Sequence, residues 1–94
     1  MSDSKIYALV TYDVTDDKLR KKLSKHIGKY GIRVQKSAFE VWISKKKYKQ
    51  MQQGINGLID EKTDSVRIYR LPLDCSLSLY GKNVVIEKSS VQIL

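Results

Sequence analysis

An α+β sandwich of the ferredoxin-like kind is the fold class that this chain predicts, on three observations. Strand-like and helix-like stretches follow one another as strand, helix, one bent or two short strands, helix, strand, with short connections between them. Each helical stretch carries a single apolar stripe, so both helices are expected on one face of an antiparallel sheet. The first apolar run, Ile6 to Asp13, holds no charge until its last residue, as expected of a strand covered on both faces in the middle of a sheet. The sheet face without helices then needs cover. A second copy supplies it most economically, which makes a symmetric homodimer the expected state.

The 94 residues make one domain, 1–94, small enough that a folded monomer is only marginally stable without a partner. Eighteen Lys and Arg against ten Asp and Glu leave a formal net charge of +8, which points to a polyanionic partner and equally serves a soluble surface. Cys75 is the only cysteine, which excludes an intrachain disulfide and a cysteine-based zinc finger and suits a reducing compartment. No apolar stretch approaches the roughly 18 residues of a membrane span, and Met-Ser-Asp-Ser-Lys at the start lacks the apolar core of a signal peptide. A cytoplasmic location is expected.

In order along the chain, Asp13 closes the first strand and lies just before a turn and a basic helix. Thr15 or Asp16 caps that helix, and Asp16 and Asp17 suit the positive end of its dipole. Leu19, Leu23, Ile27 and Tyr30 recur at steps of four, four and three, and Gly31 reads as a left-handed stop, so the helix is predicted from about Asp16 to Tyr30. Lys18, Arg20, Lys21, Lys22, Lys25 and Lys29 occupy its other faces. Ile32 to Ile43 is strand-like, but its alternation slips at Gln35-Lys36-Ser37. Either a bulged long strand or two short strands with a tight connection fits.

Ser44 caps a second helix, with Tyr48, Met51, Ile55, Leu58 and Ile59 on its stripe and an end near Asp60. Gly54 and Gly57 each weaken it by about 1 kcal/mol relative to alanine. Ser65 to Leu71 alternates Val66 and Ile68 against Arg67 and Tyr69, and Pro72 stops it. Beyond lie Leu77 and Leu79, a turn at Gly81-Lys82-Asn83, strand-like Val84 to Glu87, and Val91 to Leu94. A tail this apolar does not hang free. Residues 81–94 are therefore expected as an extra C-terminal strand extension on a sheet edge, that of the partner chain in the homodimer.

Several stretches together carry a resemblance. An apolar first strand ends in Tyr12-Asp13-Val14; Asp17, Leu19, Arg20 and Leu23 follow on the first helix. Then come Tyr30-Gly31, Arg33-Val34-Gln35 with Ser37, Phe39-Glu40, and finally Asp64-Ser65-Val66-Arg67-Ile68-Tyr69. In this order and spacing, the chain resembles the small CRISPR-associated endonuclease family, the non-integrase member of the spacer-acquisition pair. The resemblance implies a ferredoxin-like homodimer whose last strand joins the partner's sheet. It implies magnesium-dependent cleavage of phosphodiester bonds, in single-stranded RNA or in double-stranded DNA, and assembly with the CRISPR integrase around captured DNA. Residue by residue it makes Asp13 the metal-binding and catalytic aspartate, one from each chain, and Tyr12, Arg20, Arg33, Ser37 and Phe39 supporting positions. Lys22 stands where some relatives have arginine, which keeps the charge and loses the planar fork. Val41 follows Glu40 where glycine is common.

The chemistry of Asp13 also stands by itself. Magnesium takes oxygen ligands and makes do with one or two carboxylates plus water and phosphate, and manganese takes the same donors. Two copies of Asp13 near a two-fold axis would supply two carboxylates. A strand-end aspartate equally often caps the following turn. His26, on the edge of the first helical stripe, and Cys75, without a partner at motif spacing, are expected to be structural. Tyr7, Tyr12, Phe39 and Tyr69 are able to stack on bases, although strand aromatics more often fill cores. Lys45-Lys46-Lys47 with Lys49 opens the second helix against its dipole, which suits a phosphate partner or a solvated face. Three functions follow: a metal-dependent endonuclease, a non-catalytic dimeric brace for duplex DNA beside the integrase, and a general RNA-binding module.

Overall fold

The computed structural model describes residues 4–81 and 91–93. Its elements run β1 (Lys5–Asp13), α1 (Asp17–Ile27), β2 (Gly31–Gln35), β3 (Ala38–Ser44), α2 (Lys45–Leu58), β4 (Ser65–Leu71), β5 (Leu77–Leu79) and β6 (Val91–Ile93). The first four strands form one antiparallel sheet in the order β2-β3-β1-β4, so each helix crosses over from one strand to a non-neighbour, as the ferredoxin-like α+β sandwich requires. The first apolar run is indeed interior, with β3 on one side and β4 on the other.

Strand alternation divides the side chains between two faces. Ile6, Ala8, Val10, Tyr12 and Val14, continued by Phe39, Val41 and Ile43, meet Leu23 and Ile27 of α1 and Tyr48, Met51 and Ile55 of α2 in the main core. On the opposite face, Val34 and Ala38 form a small second core with Leu9 and with Leu77 of β5. Trp42 and Tyr69 stand exposed there, 66% and 46% accessible. On this face too the Tyr7 hydroxyl donates to Oε2 of the buried Glu40 at 2.9 Å. β6 pairs in parallel with β5 of the same chain, Leu77 opposite Val91. Gly81 takes the left-handed φ of 98° that the predicted turn needs, while Lys82-Asn83 and the Val84 to Glu87 strand lie outside the described residues. Among the described residues no helix is long and apolar enough to cross a membrane.

One local reading needs correction. Helix α1 stops at Ile27, capped by Gly28 in right-handed conformation, not at Tyr30, and Gly31 belongs to β2. Gly31 is required for closeness: a Cβ there would strike the Glu40 carbonyl and the Val41 side chain on the neighbouring strand. The slip at Gln35-Lys36-Ser37 combines both alternatives, two strands joined by a tight connection with a register shift between Arg33 and Gln35. The two glycines of α2 also differ. A Cβ on Gly54 would collide with the His26 imidazole, whereas one on Gly57 meets nothing. His26 lies between the helices, its Nε2 3.0 Å from the Met51 carbonyl and its ring edge-on to Tyr30.

Gly57→Ala is therefore expected to stabilise the protein by about 0.5–1 kcal/mol through helix propensity. Gly54→Ala should destabilise it by about 1–3 kcal/mol despite the same propensity gain, because the ring must leave its place. Urea unfolding of the two variants checks the contrast. Burial and the neighbouring Glu40 carboxylate push the Tyr7 hydroxyl up to about 12 from its usual 10. The raised value favours the folded state fully below pH 10, and that contribution, about 2–3 kcal/mol, is lost as pH rises from 10 to 12. Unfolding measured over that interval should show a steeper decline in the wild type than in Tyr7→Phe.

Candidate active site at the end of the first strand

Alternation along β1 sets neighbours facing apart. Tyr12 turns into the helix-side core, where its ring lies 6.4 Å from that of Phe39 at 25°, and Asp13 turns outward, exposed. The backbone of this strand end is tied to the β2–β3 connection. The Tyr12 amide donates to the Ser37 carbonyl at 3.1 Å and the Tyr12 hydroxyl to the Lys36 carbonyl at 3.3 Å. Asp16 caps α1 by accepting from the Leu19 amide at 3.0 Å, so the helix starts four residues beyond Asp13.

Between these pieces opens a cleft of about 770 Å³. Its floor is Tyr12, Asp13 and Val14; α1 supplies Arg20, Lys21, Ser24 and Lys25, and the hairpin supplies Arg33, Lys36 and Ser37. Five cationic side chains thus surround one carboxylate. Both arginines are anchored through backbone carbonyls. Arg20 donates from Nη1 to Val14 O at 3.2 Å and pairs through Nη2 with Asp17, and Arg33 donates from Nη2 to Lys36 O at 3.2 Å. The Arg33 Nε is buried without a hydrogen-bond partner among the described residues. The Asp13 carboxylate has neither a hydrogen bond nor an ion pair with any described residue. Capping of the following helix falls to Asp16 instead.

Of the residues named from sequence, Tyr12, Asp13, Arg20, Arg33 and Ser37 come together here. Phe39 is buried beneath them, where it supports the Tyr12 ring, and Lys22 is exposed on α1 outside the lining. Ser24 and Lys36 were not singled out. The first shares a helix face with Arg20 and Lys21 at helical spacing, a signal the sequence did hold. The second depends on the hairpin that the sequence left open. Lys45, Lys46 and Lys47 are exposed at the start of α2 and do not line the cleft. Among the described residues no three His, Cys, Asp or Glu side chains gather as metal ligands, so one chain offers one carboxylate.

A compact sheet backed by two helices, with a lone aspartate amid cations at a strand end, is a class of site suited to phosphodiesters. The sequence pattern of the family described as CRISPR associated protein Cas2 matches residues 6–78. The chain belongs to that family. It is 35% identical over 96 residues to CRISPR-associated endoribonuclease Cas2 1 of Moorella thermoacetica, covering 95% of this chain and 100% of that one. Similarity to CRISPR-associated endonuclease Cas2 2 of Thermus thermophilus is 33% identity over 90 residues, 96% of this chain and 97% of the relative. Among solved structures, a hypothetical protein from Thermus thermophilus superposes with a TM-score of 0.77 at 30% identity, covering 89% of this chain and all of that one. Streptococcus pyogenes Cas2 superposes with a TM-score of 0.67 at 36% identity over 72% of this chain and 88% of that one.

Proposed function

We propose that the protein is a metal-dependent endonuclease of the spacer-acquisition stage of CRISPR defence, hydrolysing phosphodiester bonds of single-stranded RNA or double-stranded DNA as a homodimer working with the integrase. One observation carries the reading: among the described residues the Asp13 carboxylate has no partner and is the single anion lining a cleft that otherwise attracts anions. The names of its relatives, endoribonuclease and endonuclease, support the same chemistry.

An exposed carboxylate without a protein partner fits a hard divalent cation that keeps water and phosphate oxygens as its other ligands. Asp13 would hold magnesium or manganese, with a second copy's Asp13 as the other carboxylate if the two-fold axis passes near the end of β1. Such an ion, when bound, polarises the phosphate and lowers the pKa of an attacking water. The chain's own residues do the rest. Arg20 and Arg33, pre-oriented by carbonyl anchors, face the charge that develops on the phosphate. Lys21, Lys25 and Lys36 hold the flanking phosphates, and Ser37 offers a hydroxyl beside them.

A second reading is favoured by the excess of cations over the one carboxylate in the cleft lining: a dimeric brace that grips duplex DNA for the integrase without cutting it. Asp13→Asn separates the two, since it keeps the shape and removes the ligand charge. We expect the wild type to cleave with magnesium or manganese, to stop in EDTA, and to lose cleavage in Asp13→Asn while nucleic-acid binding and folding persist. Spacer acquisition with the integrase, assayed in parallel, gives the brace its own readout. If neither protein cuts and both support acquisition, the nuclease reading is wrong.

Binding should weaken with salt at a log-log slope near −0.9 per phosphate contact on duplex DNA. Replacing Lys21, Lys25 and Lys36 together by alanine should reduce that slope by about 2–3. The same treatment of Lys45, Lys46 and Lys47, outside the cleft, should change it less. Titrations at several ionic strengths decide between the two sets.

A further inference from the structure

Three hydroxyls line the cationic cleft, those of Tyr12, Ser24 and Ser37, and they differ in what they are free to do. The Tyr12 proton is committed to the Lys36 carbonyl, and Ser37 is exposed on the hairpin, where water competes for it. Ser24 has neither constraint. It flanks the buried stripe of Leu23 and Ile27 on the cleft side of α1 and is itself half-buried, whereas Arg20, Lys21 and Lys25 of the same wall are exposed. A serine inside a helix commonly turns its hydroxyl back to the carbonyl four residues earlier. Here the Ser24 side chain makes no hydrogen bond with any described residue. This wall belongs to the helix layer, on the other side of the sheet from the face that a second copy is expected to cover.

The chemistry of the lining narrows what Ser24 meets. Arginine and lysine only donate, so the five cations serve phosphate oxygens and cannot accept a proton from a sugar hydroxyl. An ionised Asp13 only accepts, and its oxygens are taken when an ion is bound there. The serine hydroxyl does both, and so does the ribose 2′-hydroxyl, the sugar group that a ribonucleotide has and a deoxyribonucleotide lacks. Size agrees. The cleft of about 770 Å³ falls within the roughly 300–1,000 Å³ of sites that enclose a small molecule, the scale of a nucleotide or two of one strand. With phosphates drawn to the exposed cations at the rim, a sugar is left facing the half-buried hydroxyl near the floor. We propose that Ser24 is a specificity-determining residue, which hydrogen-bonds the ribose 2′-hydroxyl of a single strand in the cleft and makes RNA the preferred ligand over DNA. This role rests on the phosphodiester reading of the cleft and narrows its substrate to RNA.

Binding of a fluorescein-labelled oligouridine strand and of its 2′-deoxy counterpart, followed by anisotropy with the full chain in EDTA, tests the role without cleavage. The wild type is expected to hold the ribose strand roughly two- to tenfold more tightly, the worth of one hydrogen bond. Ser24→Ala should bring the ratio of the two affinities to about one, and Ser24→Thr, which keeps a hydroxyl, should retain it. Alanine is the better helix former, so a loss in that variant does not come from unfolding. A 2′-fluoro strand, with the pucker of ribose but no proton to donate, should bind the wild type like the deoxy strand; binding like the ribose strand would trace the preference to pucker and overturn the proposal. An equal loss on both strands in Ser24→Ala means a phosphate contact and overturns it too, as does a ratio near one in the wild type or a ratio that the alanine leaves unchanged. If no strand binds at any salt concentration, the phosphodiester reading of the cleft falls as well. Strands that bind equally remove the role of Ser24 alone.

Discussion

The two-residue period of β1 is the constraint on which the site depends. It sends Tyr12 into the core, where a ring, a hydroxyl and a backbone amide fasten it to Phe39, Lys36 and Ser37, and thereby holds its neighbour Asp13 in the open. Slipping the register by one residue would bury the carboxylate against Leu23 and Ile27 and expose the aromatic, a change opposed by the whole of the main core. A flexible loop aspartate would have no such guarantee.

Electrostatics then act on a prepared geometry. The cleft gathers Arg20, Lys21 and Lys25 from the basic face of α1 and adds Arg33 and Lys36 from the β2–β3 hairpin, so only part of the clustering shows as a charge run. A second run, Lys45 to Lys47, lies elsewhere and is fully solvated. Anchoring each arginine through a carbonyl leaves part of its fork free, while the lysines keep their mobility and adapt to a backbone of varying shape. A rigid pair flanked by adaptable charges suits a ligand whose phosphates are regular and whose bases are not.

Most of the fold was legible because it rests on periodicity. The uninterrupted apolar run named β1, the steps of three and four named both helices, and Ser44 and Asp16 lie at the caps where their side chains accept the expected amides. What escaped depends on pairs of residues far apart. Gly31 looked like a helix stop because glycine serves both purposes, and only its closeness to Glu40 and Val41 across the ladder tells them apart. Asp13, Arg20 and Arg33 were readable as a set from family likeness, yet Lys36 required the hairpin. Lys22 and Phe39 show the converse: likeness in sequence named them, and geometry gives them no place on the cleft wall.

Gly54 and His26 form a lock whose halves belong to different helices. Helix α2 gives up a side chain so that an imidazole can reach the Met51 carbonyl. Neither position is free to drift alone. A bulkier residue at 54 becomes tolerable only after 26 has shrunk, and a small residue at 26 leaves a hollow that a larger 54 would fill, so the two sites are epistatic. Descendants of this chain would be expected to change them as a pair, in either order only through a weakened intermediate.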